Sequence, residues 1–474
     1  MKKNSFFYII QNFSYTLSSN IISLLISSLV IFVVPKLIGL EEYGYWQVYL
    51  FYSSYVGFLH FGWNDGIYLR YGGEQYRNLD KKLFFSQFWM LFLTQIILSF
   101  VIVLGSRFLF GYEENEIFIF NMIAVNLVFV NMRYMLLYIL QATNKMKEYS
   151  VSTILDRLIY ILLILSLVNF GIKHYKPMIV VDLVGKFISL LYLIYICRDI
   201  VIRKFSDFYF SFKETFENIK VGINLMFANI ASSLILGIIK FGIQRVWSVA
   251  TFGKVSLTLS VSNLLMTFIN ALSLAIFPIL RRTNRDKLPN MYSIIRTLLM
   301  VALLGLLVIY YPLKEVLSLW LPQYADSLEY MALIFPMVVY EGKVALLTNT
   351  YLKTLRKERT ILKVNVITVF ISLLSTLMLT FYFENLILTM LSIVFLLAFR
   401  CILSELILSK IMDIDVKKDI ILEIILTIIF ILSSWFIDSW VGVLLYLVFY
   451  FIYLIIKKKD ILKTYRLFKK MLKE

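Results

Sequence analysis

Ten ionisable side chains sit inside otherwise apolar stretches of this 474-residue sequence: Arg133, Asp156, Arg157, Asp182, Lys186, Arg296, Glu341, Lys343, Arg400 and Glu405. In hydrocarbon such a group costs several kcal/mol unless it faces water or a protein partner, so each is a candidate functional residue. Cations exceed carboxylates by six to four. A cavity built from them would accept an anion through charge-assisted hydrogen bonds. The expected anion-binding set is Arg133, Arg157, Lys186 and Lys343. The carboxylates positioned to carry a coupling proton are Asp156, Asp182 and Glu341.

Each of these has a plainer reading beside the functional one. Asp182 and Lys186 are i, i+4 and can satisfy each other on one helix. Arg296, Arg400 and Glu405 lie near helix ends, from which a long side chain reaches water. Arg133 is matched in depth by Asp156 and Arg157 on the next helix; if Asp156 neutralises one arginine, the other is left for an anion. Asn126 shares a helix face with Arg133. Glu341 lies off the face of Lys343, which leaves Lys343 without a partner on its own helix. Asn12, Thr16, Ser19, Asn20, Ser23 and Ser27 recur at steps of three and four and form one polar stripe. That stripe either lines a wet cavity for hydroxyl-rich cargo or packs helices closely. Asp65, in WNDG at 63–66, reads as a cap or turn at the inner mouth of a helix.

The elements that must position these groups are membrane helices. The chain is 60% hydrophobic and 16% charged, against roughly 25% charged residues in an average soluble domain. Apolar stretches long enough to cross a bilayer fall at 11–34, 45–64, 83–104, 117–140, 149–171, 177–197, 221–243, 252–277, 290–311, 328–350, 361–383, 386–409, 419–437 and 439–456, about fourteen in all. Most of the 47 Lys and Arg residues collect in alternate loops, which places both termini in the cytoplasm and explains the net charge of +17 without nucleic acid. The two cysteines and two histidines are scattered, so neither a disulfide nor a metal site is expected. No nucleotide motif, clustered acid/base site or sizeable outer loop is present, which argues against an enzyme and against a cofactor. The segment 198–220 carries Ser211 and Glu214 in capping-box spacing and reads as an amphipathic helix on the membrane surface. The basic tail from Lys457 either meets anionic lipid or simply obeys the positive-inside bias.

The sequence also repeats. At the constant offset that carries Gly44 onto Gly253, Asn20-Ile21-Ile22-Ser23 falls on Asn229-Ile230-Ala231-Ser232 and Phe32 on Phe241. At nearly the same offset YILQATNKMKEY (138–149) resembles TYLKTLRKERTI (350–361). Two parallel six-helix repeats plus two C-terminal helices follow, in an all-α polytopic membrane protein. The expected divisions are 1–197, a linker at 198–220, 221–409, and 410–474 with the last two helices and tail. In PKLIGLEEYGYW (35–46), Pro35 is expected to end the first helix, with Gly39 and Gly44 allowing tight backbone.

PKLIGLEEYGYW after the first helix and YILQATNK after the fourth resemble the polysaccharide flippases of bacterial O-antigen and capsule pathways. Their superfamily also holds multidrug extruders and lipid II flippases. The resemblance implies movement of polyprenyl-diphosphate-linked oligosaccharides from inner to outer leaflet of the bacterial cytoplasmic membrane. It also implies membrane lipids, a polymerase and export machinery as partners. The alternative within the same superfamily is a multidrug or metabolite cation antiporter, which should carry a central carboxylate without neighbouring cations.

Overall fold

The computed structural model describes the backbone of residues 2–108, 113–437 and 440–471, and the side chains of these residues except 2–14, 16–17, 267–268, 270–272, 274–279, 281–282 and 465–471. The chain forms two compact units, Met1–Ile230 with Val249–Gly253 and Ala231–Ser248 with Lys254–Glu474. The first holds α1 (Lys2–Leu37), α2 (Leu40–Val56), α3 (Trp63–Arg70), α4 (Lys81–Phe108), α5 (Glu114–Ala142), α6 (Met146–Asn169), α7 (Tyr175–Ile196) and α8 (Arg198–Val201). It also takes the first part of α9 (Phe212–Val246) and the opening residues of α10 (Val249–Arg282). The second unit continues through α11 (Leu288–Leu306), α12 (Tyr310–Trp320), α13 (Ala325–Ile334), α14 (Met337–Lys343), α15 (Asn349–Thr354), α16 (Glu358–Thr376), α17 (Leu386–Met412), α18 (Lys417–Phe436), α19 (Trp440–Ile456) and α20 (Lys458–Met471). No strand occurs among the described residues.

Among the described residues, eleven helices are long and apolar enough to cross a membrane, or thirteen spans when each of two bent helix pairs counts as one. The chain is a multi-pass membrane protein. The second of the fourteen expected spans, 45–64, is not one helix. Here α2 stops at Val56, a 3₁₀ turn covers Gly57–His60, and Phe61 and Gly62 adopt left-handed backbone (φ 53° and 82°) before α3 begins. Two left-handed residues in succession cannot continue a right-handed helix. The expected span 328–350 is bent as well, by 44° between Pro322–Ile334 and Met337–Thr354.

Three local expectations are corrected. Pro35 does not end α1; it sits in the last turn, and the helix runs on to Leu37. Gly39 meets nothing that a side chain would disturb, whereas a Cβ on Gly44 would lie 2.2 Å from the Val249 carbonyl oxygen. Gly253, the residue that the internal alignment equates with Gly44, packs on it directly: its Cβ would lie 2.9 Å from the Gly44 Cα. Nor do Ser211 and Glu214 close a capping box. Ser211 Oγ accepts from Gln87 at 2.6 Å, and Glu214 accepts from Arg70 and Tyr71 at 2.5 and 2.8 Å. The linker 198–220 thus contains α8, a 3₁₀ turn and the start of α9.

Inside the first unit α5 is the central helix, with 72% of its most apolar window buried. Leu91, Met135, Leu136, Leu140 and Leu193 form a core between α4, α5 and α7. Outward faces such as Ile97, Phe100 and Val101 on α4 stay exposed and apolar, as lipid contact requires. In the second unit Leu280, Tyr292, Leu347, Tyr351 and Leu408 form the corresponding core.

Candidate functional site

Polar groups in the first unit meet where α5, α6 and α7 pack together. Arg133 on α5 is buried, and its guanidinium reaches Asp156 Oδ2 on α6 at 3.3 Å while Nε donates to Ser189 Oγ on α7 at 2.9 Å. Ser189 is in turn 2.8 Å from Ser152 on α6. A second cluster lies one to two turns along α7. Lys186 donates to Asp182 at 2.6 Å and to Asn126 of α5 at 3.1 Å, and the Tyr49 hydroxyl of α2 donates to Asp182 at 2.6 Å. Asn126 therefore serves Lys186, although sequence spacing put it with Arg133. Arg157, next to Asp156 in sequence, is half-buried and has no hydrogen bond or ion pair among the described residues. Of the four expected anion-binding cations, it alone stands so.

Lys343 has a different setting. It is 1% exposed, bonded to Glu405 of α17, and 2.6 Å from Glu423 of α18. Arg296 of α11 binds the same two glutamates at 2.8 and 2.7 Å, and Asp419 of α18 at 2.9 Å. Lys457, just after α19, closes the chain by bonding Asp419 and Asp460. Tyr292 donates to Glu405 at 2.8 Å. Beside this network opens a cavity of about 290 Å³ lined by Ser293, Arg296, Asp419, Lys457 and Thr464. Glu341 lies elsewhere: it accepts from Arg400 at 2.8 Å, and Arg400 also donates to Asn365 and Ser232.

All three expected proton carriers, Asp156, Asp182 and Glu341, thus face a Lys or Arg. In the polar stripe, Asn20 is exposed and Ser23 half-buried, while the side chains of Asn12 and Thr16 lie outside the described residues. No group of His, Cys, Asp and Glu suited to a metal ion occurs among the described residues. Sequence reasoning missed Glu423, Asp419 and Lys457, which sit within a turn or two of helix ends and looked like ordinary interfacial charges. It also missed the pairing of His60 with Asp65. The three glycines at 57, 62 and 66 around that pair are the signal that was available.

Arg133 and Asp156, and Lys186 and Asp182, neutralise each other within the first unit, while Arg157 has no ion pair among the described residues. The buried acids of the second unit hold their own cations.

Solved structures share this fold. The lipid II flippase MurJ, in an inward closed conformation, matches with a TM-score of 0.64 at 14% identity, over 95% of this chain and 99% of that one. An inward-facing multidrug resistance MATE family transporter of the MOP superfamily matches with a TM-score of 0.59 at 13% identity, over 82% and 96%. A MATE structure in the straight conformation matches with a TM-score of 0.55 at 13% identity, over 86% and 96%. At such identities the likeness is one of fold. No curated protein matches the sequence. The family described as polysaccharide biosynthesis protein matches residues 9–284, more than half of the chain, and the chain belongs to that family.

Proposed function

We propose that the chain is a lipid-linked oligosaccharide flippase. It moves polyprenyl-diphosphate-linked repeat units from the inner to the outer leaflet by alternating access of its two six-helix repeats, 1–197 and 221–409, with both termini in the cytoplasm. Family membership and the likeness to a lipid II flippase support this reading. One observation carries it to the residue level: Asp156 is engaged by Arg133, while its neighbour Arg157 has no ion pair among the described residues. A guanidinium so placed binds a diphosphate through two parallel hydrogen bonds, which a lysine cannot reproduce. Lys186, half-buried and sharing Asp182 with Tyr49, is the second candidate for the diphosphate. Lys343 we assign to structure. A polymerase and export machinery are the expected partners after release of the cargo.

The cation antiporter of the same superfamily is the other candidate. It wants a central carboxylate without cations around it, and Asp156, Asp182 and Glu341 each have one within 3.3 Å. The deciding experiment uses proteoliposomes with two fluorescent cargos, a polyprenyl-diphosphate oligosaccharide and a cationic dye. Exposure of the sugar label to an external quencher, at a rate lowered by Arg157→Ala, is the expected result. Movement of the dye alone would overturn the reading.

A further inference from the structure

With the expected proton carriers locked in ion pairs, one buried carboxylate of the first unit differs from them. Asp65, 5% exposed in the first turn of α3, has no Lys or Arg within ion-pair distance among the described residues. Its ionisable neighbour is His60, 4% exposed, with Nε2 3.7 Å from Asp65 Oδ2. On its other side His60 Nδ1 accepts the Gly62 N–H at 3.0 Å. That bond assigns the tautomer: Nδ1 carries no proton, so the neutral ring places its Nε2–H toward Asp65. The imidazole therefore holds the left-handed turn at Phe61–Gly62 only while it is neutral.

That turn is where α9 lies against α3. A Cβ on Gly62 would be 2.7 Å from the Ile223 nitrogen, one on Gly66 1.9 Å from the Asn218 carbonyl oxygen, and one on Gly222 2.0 Å from the Gly62 carbonyl oxygen. Backbone rests on backbone along six residues of α9, from Asn218 to Ile223. Beyond the crossing, Arg70 of α3 grips Glu214, Asn218 and Glu217 of α9 at 2.5, 2.6 and 3.0 Å. On α3 itself Tyr68 packs on Tyr138 of α5, with ring centroids 5.8 Å apart. From α5, Tyr138 lies close enough to feel the Asp65 charge, and Tyr134 packs on Gly57. Gln87 and Gln95 of α4 are neutral and bonded to Trp63 and to the Leu59 carbonyl oxygen. On α9 the acids Glu214 and Glu217 are held by Arg70. Two acceptor oxygens at this place, Asn64 Oδ1 and Asn131 Oδ1, are buried without a donor.

We propose that His60 and Asp65 form a proton-binding pair whose occupancy sets the hold of α3 on α9. One proton from water adds to His60 Nδ1. The pair passes from one net negative charge to none, and the imidazolium faces the Asp65 carboxylate. The Gly62 N–H then loses its acceptor, and the turn beneath Gly222 is released. This deepens the transport reading by naming the coupling ion and its site. Proton binding can be read without any cargo, so its failure and the failure of the flippase reading are separable.

The chain has two histidines, and the second, His174, is exposed. Nitrogen-15 histidine spectra of the His174→Gln protein in lipid nanodiscs therefore report His60 alone. Nδ1 should be unprotonated at high pH and gain a proton in a single step as the pH falls. Asp65→Asn should move that step to lower pH, because the imidazolium loses its counter-charge. The contact itself is read by thiol labelling of Asn218→Cys on α9, a residue 1% exposed whose carbonyl oxygen lies against Gly66 of α3, in a chain with Cys197 and Cys401 replaced by serine. Labelling should accelerate by up to about tenfold across the same step, as expected when one ordinary hydrogen bond is withdrawn from the closed form. In the His60→Gln background the rate should not respond to pH, and in the Asp65→Asn background its response should move to lower pH together with the His60 step. A His60 ring that keeps Nδ1 unprotonated throughout, or titrates without regard to Asp65, overturns the proposal. So does a labelling rate that follows pH equally in the His60→Gln protein.

Discussion

Replacing Lys343 by methionine separates a structural cation from a substrate-binding one. Methionine fills most of the space of lysine without its charge, and at 1% exposure no water takes over the lost bonds. The ammonium neutralises Glu405 and Glu423 together. With Lys343, Arg296 and Lys457 the network has three cations for Glu405, Glu423, Asp419 and Asp460. Without it there are two for four, and Arg296 alone must hold both glutamates. Removing one partner of a buried pair costs about 3–5 kcal/mol. For a cooperative unit of ~200 residues each kcal/mol moves the melting midpoint by some 2–4 °C, so the expected fall is roughly 6–20 °C. Adding Glu423→Gln removes the stranded charge, and the double variant should be less destabilised than the sum of the single ones by ~1 kcal/mol or more. The assay is thermal melting of the solubilised protein at a fixed scan rate, since irreversible unfolding makes the midpoint rate-dependent. A Lys343→Met protein that melts with the wild type yet no longer moves lipid-linked cargo would refute this reasoning and return Lys343 to the substrate.

Arg133 and Arg157 should part company under alanine substitution. Arg133→Ala strands the buried Asp156 and should lower the melting midpoint much as Lys343→Met does. Arg157→Ala breaks no ion pair and should melt within about 2 °C of the wild type, yet slow cargo movement about tenfold or more, the worth of a hydrogen bond to a charged group. Equal melting shifts for the two would contradict the assignment. Gly222→Val drives a side chain into the Gly62 carbonyl and the Gly66 nitrogen, neither of which can yield as a side-chain tip would. Size-exclusion of the solubilised protein should show loss of the folded peak, while Gly39→Ala, with nothing nearby, leaves it unchanged. In the linker, burial pushes the Asp199 carboxyl up, but the Tyr76 hydroxyl and Lys81 outweigh it and hold it below the usual range. Its stabilisation is then fully present above about pH 4, the unfolded value, and lost as pH falls through the lowered one. Asp199→Asn should therefore melt lower than the wild type at neutral pH and alongside it in strong acid; a gap that widens on acidification has the wrong sign.

How far the site could be read in the sequence depended on the distance between partners along the chain. Asp182 and Lys186 are one helical turn apart, and the i, i+4 rule reaches that far. Arg133 and Asp156 lie on consecutive helices joined by a short turn, so matching depth made them candidates, though not which acid or base would pair. Glu423 is eighty residues from Lys343, on a helix beyond the expected repeats, and no spacing rule links them. The break at 57–62 was hidden for another reason. A hydropathy window averages over Gly57, His60 and Gly62, and only the cluster of glycines around two titratable groups hints at a discontinuous helix.

The same distance argument gives the last two membrane helices a role that the repeat could not. Arg296 and Lys343 belong to the second unit, and within α11, α14 and α17 the acid they meet is Glu405. Two buried cations on one carboxylate would leave an uncompensated charge, which protein interiors rarely hold. Glu423 and Asp419 of α18 supply the missing negative charge, and Lys457 beyond α19 returns one positive. A chain ending before α18 would therefore lose the electrostatic balance of the second unit along with two helices. By this account α18 and α19 are integral to that unit, and an anchoring or surface role for them would have to leave the Arg296–Glu423 and Lys343–Glu423 pairs intact.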